Sequence, residues 1–250
     1  MMVKNYCIFI QARMSSSRSP GKVIEDIFGK PMILRQLERL RDGNKNIEIV
    51  CVTSSDPTDN PIEEVCLQNN FNCFRGSLDN VLDRYISAAK FYNVQNIIRI
   101  GGDDPLVDVD QISILIDEHK KTDADFIFTS HRNGWPLGAA AELISVNALK
   151  DEADKTKDLL YLEHIIPWFH HNRHDYKYIP INSPSKFNRP KYYFTVDYPE
   201  DLELCKAIFN KLLKQDEFFK FKDVIDLCDN NPEILDFNKH LHDGFDTFDL

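Results

Sequence analysis

The chain has 250 residues, 42% apolar and 28% charged, which is the composition of a globular protein long enough to bury its own core. Its net charge of −10 argues against binding to nucleic acids, because duplex binding needs a basic face. The apolar runs are far shorter than the roughly 20 residues of a membrane span. The N-terminus lacks the apolar stretch of a signal peptide. We therefore expect a cytoplasmic protein with no membrane partner.

Strand-like and helical patterns alternate through the first half of the chain. They predict, in order, strand 6–11, helix 31–41, strand 47–53, helix 61–68, strand 73–75, helix 80–91, strand 96–100, helix 109–120 and strand 125–129. This alternation predicts an α/β fold with a mostly parallel central sheet and helices on both faces. Ligands of such sheets bind beyond the carboxyl ends of the strands.

The second half of the chain is less regular. Its patterns predict a loop over 131–138, strand 141–144, helix 157–170, strands 177–181 and 192–196, and helix 199–213. We find no internal repeat and no linker. The sequence therefore predicts one domain over residues 1–238, followed by a polar tail over 239–250.

Six cysteines are spread along the chain, and no two have C-x-x-C spacing. This argues against a structural zinc site or a thioredoxin motif. We expect buried, reduced thiols at these positions. They are Cys7, Cys51, Cys66, Cys73, Cys205 and Cys228.

A basic loop, QARMSSSRSPGK (11–22), follows the first strand. Arg13, Arg18 and Lys22 could neutralise a polyphosphate there, with small residues allowing close approach of the backbone. The segment is not a Walker A loop, because Ser16 replaces its first glycine and Val23 follows the lysine. The alternative is a solvated basic loop, but three cations at a strand end of an acidic protein favour an anion site.

Two acidic segments follow predicted strands. GGDDP (101–105) places Asp103 after strand 96–100, where a carboxylate suits Mg²⁺, although the same residues are also typical of a turn. Asp197 follows strand 192–196 and precedes a helix. It could cap that helix or share a metal ion with Asp103.

Four segments together resemble the cytidylyltransferases of nucleotide-sugar synthesis. They are IQARMSSSRSPGKVI (10–24), FRGSLDNVLDRY (74–85), RIGGDDPLVD (99–108) and FTVDYPEDLEL (194–204). The resemblance is strongest to the branch assigned to spore-coat polysaccharide biosynthesis, which is related to the enzymes that make CMP-activated 3-deoxy-octulosonate. Order and spacing match over residues 6 to about 212.

The resemblance implies a Rossmann-like nucleotide-diphosphosugar transferase fold, a homodimer, and Mg²⁺-dependent transfer of CMP from CTP with release of pyrophosphate. By position, Arg13, Arg18 and Lys22 would act on the triphosphate. Asp103 and Asp197 would bind the metal ion. The full set of implied nucleotide-binding residues is Gln11, Ala12, Arg13, Ser17, Arg18, Lys22, Arg75, Gly76, Ser77 and Gly102.

The acceptor is expected to be small and acidic or phosphorylated. Two segments would bind it: the loop 131–142 and a segment that resembles the family's R-E-H, with Leu162 in place of the arginine. Ala139 to Ala141 stand where many relatives carry a more polar stretch, so the motifs do not define the acceptor. The implied acceptor residues are His131, Arg132, Trp135, Glu142, Glu163 and His164.

Two other functions fit parts of the pattern. A glycosyltransferase could use the same fold, but it would consume a nucleotide-sugar and release no pyrophosphate. A non-catalytic nucleotide-binding regulator is a further alternative. The intact cations and both aspartates argue against a regulator, because a degenerate binder could lose them.

Overall fold

A seven-stranded sheet lies at the centre of the chain, whose computed structural model describes residues 3–16, 18–213 and 218–242. The strands are β1 (Lys4–Gln11), β2 (Asp26–Ile27), β3 (Lys30–Pro31), β4 (Glu48–Ser54), β5 (Asn72–Gly76), β6 (Val94–Gly101), β7 (Phe126–Thr129), β8 (Glu142–Ser145) and β9 (Tyr178–Ile181). The sheet order is β5-β4-β1-β6-β8-β7-β9, and β2 and β3 form a separate pair.

The sheet is mostly parallel, as predicted. Strands β5, β4, β1 and β6 run parallel, and so do β7 and β9, whereas β8 is antiparallel to both of its neighbours. In β1, Ile8 and Ile10 pack into one core layer, while Cys7 and Phe9 pack into the layer on the opposite face. All four are fully buried. An uninterrupted apolar run is what a strand covered on both faces requires.

Helices cover both faces of the sheet. They are α1 (Met32–Gly43), α2 (Asn60–Gln68), α3 (Val81–Tyr92), α4 (Gln111–Thr122), α5 (Val146–Lys155), α6 (Leu159–Glu163), α7 (Ile165–His171), α8 (Pro199–Leu212), α9 (Phe221–Asn230) and α10 (Lys239–His242). The sequence analysis did not predict α5 or α9. Among the described helices, none combines the length and the apolar character that crossing a bilayer demands.

The prediction of one helix over 157–170 was wrong, because α6 and α7 are separated at His164, which has non-helical dihedrals. Pro167 gives the physical reason. In a continuous helix it would lack the hydrogen bond to the carbonyl of Glu163 and its ring would clash there. In the divided helix it lies in the first turn of α7, where no such donor is needed.

The prediction of a strand over 192–196 was also wrong. This segment forms only an isolated bridge between Leu137 and Tyr193. Its backbone bonds go to loops: Phe194 N–H donates to the Leu137 carbonyl at 2.8 Å, and Val196 N–H donates to the Asp103 carbonyl at 2.8 Å. Phe194 and Val196 are buried, so the alternation of apolar residues correctly indicates which side chains face the core. The segment nevertheless hydrogen-bonds to loops and not to a neighbouring strand.

The predicted tail falls largely outside the described residues. Its first part, Lys239–His242, is the short helix α10. His242 Nε2 lies 2.9 Å from Asp201 Oδ1, at the start of α8. The division into a domain over 1–238 and a tail stays a prediction.

Candidate active site

A cavity of about 460 Å³ opens at the carboxyl ends of β1 and β6, where a parallel sheet is expected to bind its ligand. Gln11 and Gly101 are register partners in these strands, so the basic loop and the GGDD turn leave the sheet side by side. The residues lining the cavity are Gln11, Ala12, Arg13, Ser16, Arg18, Lys22, Val23, Arg99, Gly101, Gly102, Asp103, Glu163, His164 and Asp197.

Lys22 lies at the centre of this cleft and is only 5% exposed. Its Nζ is 3.0 Å from Asp103 Oδ2 and 3.3 Å from Asp197 Oδ1, and it donates to the Val196 carbonyl at 2.5 Å. The short 3₁₀ turn 22–24 that carries it begins after Gly21, whose φ of 78° is a left-handed conformation that favours glycine. The two aspartates, 94 positions apart, therefore meet at one point.

The residues at this point fit a magnesium ion. Two carboxylates and one backbone carbonyl converge on a single positive charge, and hard oxygen donors of this kind are those that Mg²⁺ prefers. Asp103 and Asp197 are the carboxylates that could hold it.

Asp197 is held as an anion by its neighbours. Arg18 Nη1 lies 3.0 Å from Asp197 Oδ2, and the Tyr193 hydroxyl donates to the same oxygen at 2.8 Å. Burial acts to raise the pKa of Asp197, but the Tyr193 hydrogen bond and the charges of Lys22 and Arg18 outweigh it and lower that pKa below its usual value.

Asp197 does not cap helix α8 with its side chain, so the capping alternative was wrong. The N-cap residue is Tyr198. Asp201 Oδ2 accepts hydrogen bonds from the backbone N–H groups of both Asp197 and Tyr198, at 2.9 and 2.8 Å. Because Asp201 satisfies these donors, the carboxylate of Asp197 is left to face the cleft.

Asp59 anchors the basic loop, and sequence reasoning missed it. Its Oδ1 accepts the Met14 N–H at 2.7 Å, while its Oδ2 accepts the N–H of Ser54 at 3.1 Å. Asp59 is 1% exposed. A buried carboxylate between two backbone donors fixes where the loop begins relative to the end of β4.

The close approach of the two strand ends requires glycine at position 102. A Cβ there would lie 2.7 Å from the Gln11 carbonyl oxygen and 2.8 Å from the Ala12 Cβ. Gly102 N–H donates to that same carbonyl at 2.8 Å. Gln11, Ala12 and Gly102, predicted to contact the nucleotide, thus form the floor between the two loops.

Asp104, beside the proposed metal ligand, lies behind the cleft. It accepts a hydrogen bond from Thr195 Oγ1 at 2.9 Å. Burial, followed by the charge of Asp103, raises the pKa of Asp104 well above its usual value. Gln36, a buried residue that the sequence analysis missed, donates to the carbonyls of Gly101 and Asp104 and so braces this turn.

The opposite wall of the cleft carries Glu163 and His164, the two residues of the segment expected to bind the acceptor. The break between α6 and α7 presents both residues to the cavity. Arg13 Nη1 lies 3.1 Å from Glu163 Oε1, so this pair connects the two walls. Both side chains are substantially exposed, at 39% and 43%, which leaves the pair weak enough to exchange for a ligand.

Glu142 supports the wall from behind. Its Oε2 lies 3.0 Å from Nη1 of Arg99, which lines the cleft. Burial raises the pKa of Glu142 despite the neighbouring guanidinium. Among the charged residues of the cleft, Arg99 is the one that sequence reasoning missed. Arg99 and Glu142 are register partners in β6 and β8, and the segment 99–108 alone does not show this pairing.

Trp135 was wrongly expected to contact the acceptor. It is fully buried, and its indole N–H donates to the Ile181 carbonyl at 2.9 Å. A tryptophan with its N–H satisfied inside the core has no surface left for a substrate. His131 and Arg132 lie in the short turn 131–133, away from the described walls of the cleft.

The segment 75–77 was expected to line the nucleotide pocket, but the structure places it away from the described walls. The guanidinium of Arg75 contacts the Ser54 and Asp56 carbonyls and the side chains of Asn60 and Glu63. It therefore ties β5 to the end of β4 and to the start of α2. Gly76 and Ser77 lie beside it, and Ser17 falls outside the described residues.

Comparison with known proteins identifies the family. The family model described as Cytidylyltransferase matches residues 7–239. The chain belongs to the cytidylyltransferase family. This confirms the family to which the four sequence segments pointed, and the enzyme is a cytidylyltransferase.

Individual relatives agree with this cytidylyltransferase assignment. The chain is 29% identical to spore coat polysaccharide biosynthesis protein SpsF of Bacillus subtilis, over 90% of this chain and 94% of SpsF. A solved cytidylyltransferase from Leptospira borgpetersenii superimposes with a TM-score of 0.86 and 28% identity, over 93% and 97% of the two chains. CMP:2-keto-3-deoxy-manno-octonic acid synthetase, solved with CTP, has a TM-score of 0.62 at 18% identity, over 83% and 99%, which shows a shared fold.

Proposed function

We propose that this cytidylyltransferase transfers CMP from CTP to an acidic or phosphorylated sugar-like acceptor, with Mg²⁺ and with release of pyrophosphate. The observation that carries the proposal is the meeting of Lys22, Asp103 and Asp197 beside a loop with two further cations. Phosphoryl transfer depends mainly on positioning and on electrostatic stabilisation, and these residues offer both.

Asp103 and Asp197 would hold the metal ion. When bound, Mg²⁺ neutralises charge on the phosphoryl oxygens and helps to orient them. Lys22 and Arg18, which now contact these carboxylates, would then turn to the phosphates. The proposal therefore includes an exchange of partners, in which ion pairs within the free protein become ion pairs to the triphosphate.

The reaction is an in-line displacement. An acceptor oxygen forms a bond to the α-phosphorus of CTP, and the bond from that phosphorus to the bridging oxygen of the β-phosphate breaks, so pyrophosphate leaves with the electron pair. Arg13, Arg18 and Lys22 would stabilise the charge that develops on pyrophosphate. Arg13 can do so when its exposed pair with Glu163 opens.

Glu163, His164 and Arg99 form the wall that would face the acceptor. The guanidinium of Arg99 would favour an anionic acceptor. For a hydroxyl acceptor, the carboxylate of Glu163 could accept the proton, whereas a phosphate acceptor requires no base. His131 and Arg132 stay predicted acceptor residues.

Surface polysaccharide or glycoconjugate biosynthesis is the proposed setting, supported by the likeness to SpsF. We also propose a homodimer. Leu159 and Leu160 in α6, beside the cleft, are 78% and 49% exposed, and such apolar exposure suits a contact between copies. Sedimentation equilibrium tests the dimer, and a monomer at micromolar concentration would contradict it.

The decisive test has two measurements. Calorimetric titration in the presence of Mg²⁺ should show tighter binding of CTP than of ATP, GTP or UTP. Pyrophosphate release should then be screened over acidic sugars, sugar phosphates and phosphonates. Both measurements should be repeated on Lys22→Ala, which removes the lysine at the centre of the cleft. The matched control is Lys30→Ala, which removes a lysine paired with Glu38 outside the described walls of the cleft.

The outcomes separate the alternatives. Equal or tighter binding of GTP would overturn the assignment of CTP. Transfer from a nucleotide-sugar without release of pyrophosphate would favour the glycosyltransferase. Loss of CTP binding in Lys22→Ala but not in Lys30→Ala would support the proposed site.

A further inference from the structure

Three of the six cysteines form a compact group outside the catalytic cleft. Cys51 lies in β4, Cys66 in α2 and Cys73 in β5, and their Sγ atoms all lie within 4.8 Å of one another. Cys51 and Cys73 are register partners in the parallel pair of β4 and β5. The helix α2 packs against both strands and brings the third thiol to them. The group is therefore built by the fold, from three separate elements.

The surroundings distinguish this group from isolated core cysteines. Cys51 and Cys66 are fully buried, and Cys73 is partly exposed. Hydrogen bonding from the thiols of Cys51 and then Cys66 lowers the pKa of Cys73, against the effect of burial. The same hydrogen bonds to Cys66 and Cys73, together with burial, raise the pKa of Cys51 well above its usual value, so a metal ion would have to displace the proton of that thiol.

We propose that Cys51, Cys66 and Cys73 form a binding site for a soft, thiophilic cation of the Cu(I) type. The group offers three sulfur donors, and thiolates select soft ions. A structural zinc site is almost always four-coordinate, one donor more than this group offers. Mg²⁺ prefers oxygen donors, so the cysteine site and the cleft bind different ions.

Binding is an exchange of protons for the cation. Each thiol that coordinates Cu(I) releases its proton to solvent and forms an S–Cu bond, with no transfer of electrons. Cys73 provides the route from solvent, because it is the partly exposed member and β5 is the edge strand of the sheet. An ion held by all three sulfurs would tie β4, β5 and α2 together and stabilise the folded state.

The test uses the full chain, reduced and kept free of oxygen, with Cu(I) delivered from a competing chelator. We expect one Cu(I) retained per chain, a higher melting temperature, and an X-ray absorption spectrum with three sulfur neighbours. Cys66→Ser and Cys73→Ser should each weaken retention at least tenfold. Cys205→Ser is the matched control, because Cys205 is also buried but lies in α8, apart from the group.

The wild-type measurements keep the test independent of how well the variants fold. No retained Cu(I), or a spectrum with nitrogen or oxygen neighbours in place of the three sulfurs, would overturn the proposal. Equal weakening in Cys205→Ser would also overturn it, since retention would then not depend on the group. Loss confined to Cys66→Ser and Cys73→Ser would support it.

Discussion

The side of the molecule with the basic loop and the side with the loop 131–142 use their predicted site residues differently. On the side of the basic loop, Lys22, Asp103 and Asp197 contact one another at the cavity surface. On the side of the loop 131–142, Trp135 lies in the core and Glu142 supports Arg99 from behind. The first three residues form ion pairs that line the cavity, which supports the catalytic role proposed for them. Trp135 and Glu142 are explained by the fold itself.

The largest expected effect lies on the side of the loop 131–142. Trp135→Ala should lower the free energy of unfolding by about 3–5 kcal/mol, because it removes a fully buried ring and leaves a cavity. Denaturant unfolding measures this. Trp135→Phe keeps much of the volume and should retain normal turnover. If Trp135→Phe instead weakened binding of the acceptor without any loss of stability, the ring would contact substrate and our comparison would fail.

The next largest effect lies on the side of the basic loop, at the two aspartates. Asp103→Asn and Asp197→Asn should each reduce kcat by roughly 10²–10³-fold, the scale found when one electrostatic group is removed from an active site. The double variant should be little worse than the worse single one, because groups that act as a unit are not additive. Pyrophosphate release with the identified acceptor gives kcat for all three.

Stability measurements serve as the control for these aspartates. Because Asp201 satisfies the backbone donors at the start of α8, Asp197→Asn should keep that helix intact, and its melting temperature should fall only through the loss of the ion pairs with Lys22 and Arg18. Asp110→Asn alters an exposed ion pair with Lys220 and should change neither kcat nor the melting temperature. An Asp197→Asn enzyme with normal turnover that still responds to Mg²⁺ would exclude the shared metal site.

Lys22→Ala should have a smaller but clear effect on the same side. We expect turnover to fall at least tenfold, about 1.4 kcal/mol in the barrier. The loss follows from the removal of a buried cation that would contact the triphosphate. Circular dichroism should show an unchanged fold, and Lys30→Ala should keep full activity. Wild-type turnover in Lys22→Ala would remove this lysine from the mechanism.

Local sequence patterns predicted the positions of helices and strands better than they predicted which segments pair with one another. The apolar run of β1 and the alternation with helices were enough for a mostly parallel sheet, because burial on both faces leaves a direct signal. The segment 192–196 was misassigned, since apolar alternation reports which side is buried and not whether a strand lies alongside. The break at His164 was missed although Pro167 marked it.

The same limit applies to the candidate site. The cations at a strand end and the two aspartates could be identified, although the segment 192–196 before Asp197 forms only an isolated bridge, and the structure brings Lys22, Asp103 and Asp197 together. Asp59 gave no usable signal, because a buried anchor is recognised only by the backbone donors around it. The group of Cys51, Cys66 and Cys73 could not be predicted either, since its contacts arise from sheet register and helix packing and not from spacing along the chain.

The smallest expected effect concerns a hydrogen bond to Asp197. The Tyr193 hydroxyl donates to Asp197 Oδ2 at 2.8 Å and helps to lower the pKa of that carboxyl below its usual value. A carboxyl whose folded pKa is lowered contributes stability that is complete above its unfolded value and is lost as the pH falls through the folded value. Removal of the hydroxyl should therefore lower the free energy of unfolding at neutral pH and not in acid.

Tyr193→Phe should lower the free energy of unfolding by about 1 kcal/mol at pH 7, the usual net value of one hydrogen bond. The difference from wild type should shrink as the pH falls through the lowered pKa of folded Asp197, where this carboxyl becomes protonated. Tyr192→Phe is the matched control, because its hydroxyl donates to Asp229 at an exposed position. A difference independent of pH would contradict this role, because Tyr193→Phe keeps the ring that stacks on His242 and removes only the hydroxyl that donates to Asp197.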